Sequence, residues 1–255
     1  MNSYHNSPAL SIDDLTFFWK DQLVLENISF QVSSQSIVSI LGPSGCGKST
    51  LLHILAGLLK PNRGKIWIYE EDVTNKTGLM SYMQQNDLLF PWKTILENVA
   101  LPLILQGVQK KKALDKAAQH FSMFGLEGYE MYLPKELSGG MKQRAALLRT
   151  HMMGKPIILL DEPFGALDSL TRRTMQKWLL DMYETLNSTI ILVTHDIEEA
   201  IYLSDEIFIM SSLPAKITQT IMISTPREEK KKENFLNQEL YTLKKEILHL
   251  LIQDP

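Results

Sequence analysis

The amino-acid sequence predicts an α/β fold built on a parallel β-sheet, and three observations lead to this prediction. Four short runs are almost entirely apolar, as expected for strands buried on both faces of such a sheet; they read SIVSILG, KPIILLDEP, STIILVTHD and DEIFIM. Helical patterns such as KSTLLHILAGLLK and LTRRTMQKWLLDMYETL lie between these runs, and this alternation is typical of a doubly wound sheet. The length of 255 residues, 44% of them hydrophobic, suits one large domain with a substantial core.

Other segments predict elements outside this sheet. The stretches LVLENISFQV and GKIWIYEEDV alternate apolar and polar residues, which indicates half-buried antiparallel strands. The region of about residues 86–153 looks helical throughout and includes a polar-faced helix, VQKKKALDKAAQHFSMFGLEG, that glycines end. We therefore predict a single domain over residues 8–217, with its core at about 8–85 and 154–217 and an inserted helical subdomain at about 86–153.

Residues 218–255 are predicted to form a charged linker, PREEKKKEN, and a C-terminal amphipathic helix. Apolar residues recur there at spacings of three and four, which marks one face of a helix. They are Leu236, Leu240, Leu243, Ile247 and Leu250. The simpler interpretation is that this helix packs on its own domain, and the alternative is a regulatory or dimer contact.

Composition narrows the class of protein. The formal charge of −3 argues against a general nucleic-acid binder, which usually carries a basic surplus. Cys46 is the single cysteine, so no disulfide can form within the chain, and a reducing, cytosolic setting fits. The N-terminus lacks a basic start followed by an apolar run, and no window reaches eighteen apolar residues, so we expect neither a signal peptide nor a membrane span.

The first chemical motif is GPSGCGKST, which follows a predicted strand and opens a predicted helix. It fits the pattern G-x-x-x-x-G-K-[ST], whose backbone N–H groups turn inward around phosphate oxygens at a helix N-terminus. We expect Lys48 to reach the β- and γ-phosphates and the Ser49 hydroxyl to bind Mg²⁺. Cys46 has no partner base and only needs to be small. The predicted phosphate-binding residues are Gly42, Pro43, Ser44, Gly45, Cys46, Gly47, Lys48, Ser49 and Thr50.

Two further strands end in polar residues, and the carboxyl ends of parallel strands are where such folds bind ligands. Asp161 in IILLDEP is placed to hold Mg²⁺, and the adjacent Glu162 to polarise the attacking water. His195 in STIILVTHD follows a third strand, where it can contact the γ-phosphate. The predicted catalytic residues are therefore Glu162, His195 and Lys48.

A second glycine-rich turn, LSGGMKQR, also opens a predicted helix. Ser138 is a good N-cap, and Gly139 and Gly140 have no side chains to cover the first N–H groups of the helix. This turn is therefore predicted to be a second anion-binding helix terminus. Lys48 and Mg²⁺ already serve the γ-phosphate of its own chain. The turn becomes useful if it caps the γ-phosphate bound to another copy, so we predict a C₂ pair with two composite sites.

On these motifs the chain resembles the ATP-binding subunit of ABC transporters, from about Leu10 to Ile217. GPSGCGKST matches Walker A, LSGGMKQR the signature, IILLDEP Walker B, GALD the D-loop with Asp168, and VTHD the switch histidine. The resemblance implies a P-loop NTPase (RecA-like) parallel-sheet core with an antiparallel β subdomain and an inserted α-helical subdomain. It also implies ATP hydrolysis with ATP and Mg²⁺ as cofactors.

The resemblance adds two site residues. The Q-loop glutamine, which would help to hold Mg²⁺, falls on Gln85 rather than Gln84, because Gln85 lies seven residues before Trp92, the family spacing. The aromatic residue that stacks on adenine would be Trp19, with Phe18 as the alternative; family members usually carry Tyr there.

The resemblance also implies partners. These are a second copy of the chain, integral membrane permease subunits and, indirectly, an extracytoplasmic solute-binding protein, with no nucleic acid. The stretch NDLLFPWKTILENVALPL would receive a permease helix, which places the chain at the cytoplasmic face of the membrane. LLFPWKT, FGALDSLTRRTMQKWL and FIMSSLPAKI look like the nitrate/sulfonate/taurine-type importers, which include importers of thiamine-precursor pyrimidines.

Some alternatives stay open at this point. Pro214-Ala215-Lys216 replaces the usual Pro-Gly-Arg of that group, so another small-anion or metabolite importer is possible. A soluble ABC-type ATPase without a transport role, or a nucleotide-binding scaffold without turnover, would share the main motifs. Intact Glu162 and His195 argue against the scaffold, and the Gln85 segment argues for a permease partner.

Overall fold

The computed structural model describes residues 7–231 and 238–253. Its strands are β1 (Leu10–Trp19), β2 (Gln22–Val32), β3 (Ile37–Leu41), β4 (Arg63–Ile68), β5 (Glu71–Asp72), β6 (Ser81–Met83), β7 (Ile157–Asp161), β8 (Thr189–Thr194), β9 (Glu206–Met210) and β10 (Ile217–Met222). Its helices are α1 (Lys48–Leu55), α2 (Ile95–Leu105), α3 (Lys110–Ala118), α4 (Gly139–His151), α5 (Ser169–Leu186), α6 (Ile197–Leu203), α7 (Arg227–Lys230) and α8 (Gln238–Gln253), with a 3₁₀ turn at Pro134–Glu136.

Within these residues the larger sheet has the strand order β10-β9-β3-β8-β7-β6. All its neighbouring pairs are parallel except β10 with β9. The four apolar runs form β3, β7, β8 and β9, and every residue of β3, β7 and β8 is buried. The predicted parallel core is thereby confirmed.

The two faces of β7 show why residues 157–160 are all apolar. Ile157 and Leu159 pack into the cluster that contains Leu51 and Leu52 of α1. Ile158 and Leu160 point the other way, into the cluster that contains helices α4 and α5. Because successive side chains of a strand alternate between the faces of its sheet, a sheet covered on both sides requires a continuous apolar run.

The smaller sheet is antiparallel, with the order β2-β1-β4-β5, and it confirms the predicted antiparallel layer. The run GKIWIYEEDV forms two strands rather than one. Its chain turns at Tyr69, which has φ +53°, before Glu71 pairs back on Ile68.

The region between β6 and β7 contains α2, α3 and α4, but α3 is shorter than the sequence pattern predicts. It ends at Ala118, and the next residues form turns with bonds from Phe121 N to Ala118 O (3.2 Å) and from Gly125 N to Ser122 O (2.9 Å). These turns bury both Phe121 and Phe124 in the core shared with the larger sheet. The apolar residues Phe121 and Phe124 of the predicted helix are thus buried, but the helix itself stops at Ala118. The proposed domain boundaries stay a prediction.

The C-terminal helix α8 packs on its own chain. Leu240 and Ile247 are buried against Ala200 and Ile201 of α6 and against β9. This contact supports the simpler interpretation of the tail, although Leu236 of the predicted apolar face lies outside the described residues. No helix in the described part of the chain is long and apolar enough to cross a membrane.

Candidate functional site

The loop after β3 has the geometry of an anion cradle. Gly47 is the N-cap of α1 at φ +109°, and no side chain caps the N–H groups of that helix. Gly42 has no space for a side chain, because a Cβ there would lie 2.8 Å from the carbonyl oxygen of Met210. The first-turn N–H groups of α1 can therefore bind an anion held in the loop.

Lys48 and Cys46 show how the loop uses its other side chains. The Lys48 ammonium donates to the carbonyl oxygens of Gly42 (2.9 Å) and Pro43 (2.8 Å), which holds it at the loop. Cys46 is buried, and burial raises the pKa of its thiol. A thiol that stays protonated is a poor nucleophile.

Ser49 and Asp161 meet at the carboxyl ends of β3 and β7. The Ser49 hydroxyl donates to Oδ1 of Asp161 at 3.0 Å, and the hydroxyl of Tyr82 donates to Oδ2 at the same distance. Burial raises the pKa of the Asp161 carboxyl, and these two hydrogen bonds act in the opposite direction by favouring its charged form. Tyr82 lies on β6, and the sequence analysis missed it.

The chemistry of these oxygen donors fits Mg²⁺. A serine hydroxyl and a carboxylate, with the amide of Gln85 nearby, are hard oxygen ligands. Across residues 7–231 and 238–253 no group of three or more His, Cys, Asp or Glu could hold a metal ion by itself. A magnesium ion here would therefore take its remaining ligands from phosphate oxygens and water, as it usually does in nucleotide sites.

Glu162 lies where three loops meet. Its Oε2 atom is 3.0 Å from Nδ1 of His195 and accepts a hydrogen bond from Nε2 of Gln85 at 3.4 Å. Its backbone has φ +44°, an unfavourable value for a residue with a side chain, and its N–H is anchored to Val193 O at 3.0 Å. Strand neighbours on both sides thus hold the carboxylate at the sheet edge.

A cavity of about 300 Å³ joins the cradle to Trp19. Its walls include Ser44, Gly45, Gly47, Lys48, Ser49, Thr50, Glu162, Trp19, Gln22, Val24 and Leu213. Trp19 ends β1 with 55% of its surface exposed, whereas Phe18, at 40%, is not part of this wall. This placement favours Trp19 over Phe18 as the stacking aromatic.

Leu213 is a second residue that sequence reasoning missed. It is 42% exposed, although it is a large aliphatic side chain on the wall of the cavity. Its segment is fixed to β2, since Ala215 N donates to Val24 O and Glu26 N donates to Ala215 O, both at 2.9 Å. The motif SSLPAKI was noted only as a family resemblance, so no signal pointed to this wall.

The Ser138 turn lies in a different cavity of about 310 Å³. Ser138 is the N-cap of α4, and its Oγ accepts from Met141 N at 3.3 Å. The turn lies beside the start of α5, because a Cβ on Gly139 would be 3.2 Å from Leu167 Cδ2. Asp168 caps α5 by accepting from Leu170 N (3.1 Å) and Thr171 N (3.0 Å). Neither Ser138 nor Asp168 is part of the Lys48 cavity of this chain.

The helix after that turn packs into the core through Ala145 and Leu148. Gln143 of the same helix is buried as well. Arg149 reaches back to donate to the carbonyl oxygens of Leu88 (2.6 Å) and Asp87. These bonds tie α4 to the segment that follows Gln85.

The fold and the phosphate loop define a nucleotide-binding protein of the P-loop class. The family model described as ABC transporter matches residues 25–165. The chain belongs to the ABC transporter family and is one of its ATP-binding, ATP-hydrolysing subunits.

Two curated relatives are similar over most of their length. The formylaminopyrimidine import ATP-binding protein ThiZ of Halalkalibacterium halodurans is 44% identical over 247 residues, 96% of this chain and 97% of the relative. The aliphatic sulfonates import ATP-binding protein SsuB of Bacillus anthracis is 44% identical over 227 residues, 87% of this chain and 89% of the relative.

Solved structures agree with the fold. A dimeric structure of the bacterial ABC transporter cassette MJ0796 has a TM-score of 0.73 at 30% identity, covering 85% of this chain and 100% of that one. The structure of cbiO1 from Clostridium perfringens, part of the ABC transporter complex cbiONQ, has a TM-score of 0.79 at 23% identity and covers 95% and 99%. The predicted P-loop NTPase class is confirmed by this likeness.

Proposed function

We propose that the chain is the motor of an importer, in which two copies bind two ATP molecules between them and hydrolyse them to drive a membrane permease. The observation that carries this proposal is the meeting of Gln85, Glu162 and His195 next to the Ser49–Asp161 pair. Gln85, Glu162 and His195 each follow a different strand of the larger sheet. A phosphate in the cradle would therefore lie near a carboxylate base, an imidazole and a cation site.

Binding uses the two ends of the Lys48 cavity. Trp19 and Leu213 offer an aromatic face and an aliphatic surface to a base. The loop N–H groups and the Lys48 ammonium bind the phosphates. Ser49, Asp161 and Gln85 would hold Mg²⁺, which supplies positive charge to neutralise and orient the phosphate oxygens.

Hydrolysis uses Glu162 as the base. Its carboxylate accepts a proton from water while the water attacks the γ-phosphorus. The bond between the γ-phosphorus and the oxygen that bridges it to the β-phosphate breaks, and ADP is the leaving group. Gln85 and His195 both contact the carboxylate and fix its position. Lys48 and His195 stabilise the charge that develops on the phosphoryl oxygens.

Pairing explains why the Ser138 turn and the Lys48 loop line separate cavities. Ser138, Gly139 and Gly140 of one copy would cap the γ-phosphate bound to the other, next to Asp168. Hydrolysis removes the shared ligand, so the closed pair loses the contacts that favour it over the open one. The dimeric MJ0796 cassette supports this arrangement by similarity.

A permease would bind the exposed apolar surface formed by Leu88, Trp92, Met131 and Tyr132. Trp92 is 72% exposed, an unusual value for a tryptophan. Backbone bonds from Ile95 N to Tyr132 O (2.8 Å) and from Leu96 N to Glu130 O (2.9 Å) bring the two segments together. The chain would then lie as a peripheral subunit at the cytoplasmic face of the membrane.

The relatives named for formylaminopyrimidine and aliphatic sulfonates support a small organic solute of the nitrate/sulfonate/taurine/thiamine-precursor group. The chain does not itself touch the solute in this scheme, because selection belongs to the permease and to an extracytoplasmic binding protein.

The test is co-purification from detergent-solubilised membranes together with a phosphate-release assay. Trp92→Ala should remove the permease while basal hydrolysis stays within about twofold, since Trp92 lies outside the nucleotide cavity. Met222→Ala, an exposed apolar residue on β10, is the matched control and should keep the permease. An active wild-type protein that co-purifies with no membrane protein would favour a soluble ATPase instead.

A further inference from the structure

We propose that Glu199 and Arg172 are positioning residues that hold the loop of His195 in place and connect it to the loop of Asp168. The inference rests on the proposed role of His195 in hydrolysis. Neither residue lines the nucleotide cavity, and neither belongs to the Walker A, Walker B or signature motif.

The hydroxyl of Thr194 closes the turn that contains His195. It donates to Oε2 of Glu199 and accepts from Asp196 N at 3.0 Å. A hydroxyl has one proton, so donation to Glu199 fixes its orientation and turns a lone pair toward Asp196. Because His195 lies between Thr194 and Asp196, Glu199 determines how tightly this turn is held.

Glu199 is an unusual choice for a purely structural position. Only 4% of its surface is exposed, and a buried carboxyl is costly unless its hydrogen bonds are satisfied. Its second oxygen, Oε1, has no hydrogen-bond partner among the described residues. The charged and polar groups that face it are Asp196, Arg172 and Gln176, besides Thr194. Its immediate contacts therefore belong to the His195 turn and to the first half of α5.

Arg172 joins the same turn to the Asp168 loop. Its NH1 lies 3.5 Å from Oδ2 of Asp196, and its NH2 donates to Leu167 O at 3.1 Å. The other oxygen of Asp196 caps α6 through Glu198 N at 2.9 Å and Glu199 N at 3.2 Å. One guanidinium thus bridges the residue after His195 and the residue before Asp168.

This bridge gives a route from the pairing surface to the catalytic centre. The side chain of Leu167 also lies beside Gly139. Leu167 therefore connects the Ser138 turn to the Asp168 loop and to Arg172. A shift of the Asp168 loop when a second copy docks would move Arg172 and Asp196, and with them His195. Hydrolysis would then depend on docking in two ways, through this series of contacts and through the shared nucleotide.

The test is a set of double-mutant cycles in the full-length protein, measuring kcat for ATP hydrolysis and the Kd of ATP separately. Arg172→Gln, Glu199→Leu and Thr194→Val should each lower kcat by about tenfold or more and change the Kd by less than about twofold. Glu199→Gln keeps an acceptor for the Thr194 hydroxyl and should retain kcat within about threefold. Arg173→Gln, at the exposed neighbouring position, is the matched control and should behave as wild type.

The same substitutions are then made in a His195→Ala protein. If they act through His195, their further effect on the residual turnover should fall below about twofold. Equal losses in both backgrounds, or losses in Kd that match those in kcat, would overturn the inference while leaving the role of His195 intact. Full turnover by His195→Ala alone would instead refute the proposed function of His195, and this inference with it. Thr194→Val changes little volume, so it decides the question if Glu199→Leu does not fold.

Discussion

His195 and Glu162 are joined by a contact of 3.0 Å between Nδ1 of the histidine and Oε2 of the carboxylate. The two residues follow β8 and β7, which are neighbours in the parallel sheet. Gln85, which follows β6, reaches the same oxygen at 3.4 Å. Three adjacent strand ends therefore converge on one carboxylate, and its position depends on all of them.

Glu162→Gln should bind ATP normally and lose turnover by roughly 10²–10⁴, because an amide cannot accept the proton of the attacking water. Nucleotide binding by calorimetry and phosphate release measure the two effects separately. The variant should also accumulate as a closed pair with ATP, visible by size-exclusion chromatography. Normal hydrolysis by Glu162→Gln would show that another group is the base.

Ser138→Arg should leave the affinity for ATP unchanged within about twofold and prevent the closed pair, because the Ser138 turn does not line the cavity of its own chain. The expected readout is ATP-dependent dimerisation in the Glu162→Gln background. Ser122→Arg, an exposed serine in the turns after α3, is the control for added charge and bulk. Loss of ATP binding by Ser138→Arg would mean that the turn serves its own chain.

Trp19→Ala should raise the Kd of ATP by about tenfold, the value of one base–aromatic stack. Leu213→Ala should raise it less, by about threefold, since it removes only part of an apolar contact. Neither substitution should alter the binding of inorganic triphosphate, which lacks the base. Phe18→Ala is the matched control, and a larger loss in that variant than in Trp19→Ala would reverse the assignment.

Glu199 should make stability depend on pH. Burial raises the pKa of this carboxyl to about 7, above its usual value of 4.5. Between these values the unfolded chain loses a proton that the folded chain keeps, so the free energy of unfolding falls as pH rises from about 4.5 to about 7. Glu199→Gln lacks this titration and should gain roughly 2–3 kcal/mol relative to wild type between pH 4.5 and pH 7.5.

Urea denaturation of both proteins at several pH values measures this difference. A constant offset between Glu199→Gln and wild type across the range would contradict the burial of the carboxyl. Glu198→Gln, at a half-exposed position on the same helix, keeps Glu199 and should retain the fall in stability between pH 4.5 and pH 7.5.

The sequence predicted the parallel core because strands that are buried on both faces require continuous apolar runs. The side chains of Ile157 to Leu160 show the reason, since they pack alternately into two clusters. The sequence also predicted which residues lie at the sheet edge. Asp161 ends a buried strand, Glu162 and His195 directly follow one, and Ser49 lies in the helix that the loop after β3 opens. Both predictions depend only on the order of apolar and polar residues within short segments of the sequence.

The features that the sequence did not predict depend mainly on contacts between segments far apart in the chain. Tyr82 reaches Asp161 across 79 residues, and Leu213 joins a cavity whose other walls are β1, β2, the cradle and Glu162. Glu199 lies in the first turn of α6, a place that favours negative charge, so its residue type alone gives no signal of a further role. The end of α3 was also beyond the pattern, because Phe121 and Phe124 keep helical spacing while their backbone forms turns.

The central claim is that each chain completes the nucleotide site of its partner, and a dilution series tests it most directly. Mass by light scattering and phosphate release are measured on the same samples of the purified protein with ATP and Mg²⁺. The account predicts that turnover per chain falls with the fraction of paired molecules and approaches zero where the chain is monomeric. Full turnover per chain in samples that are monomeric throughout the assay would contradict it.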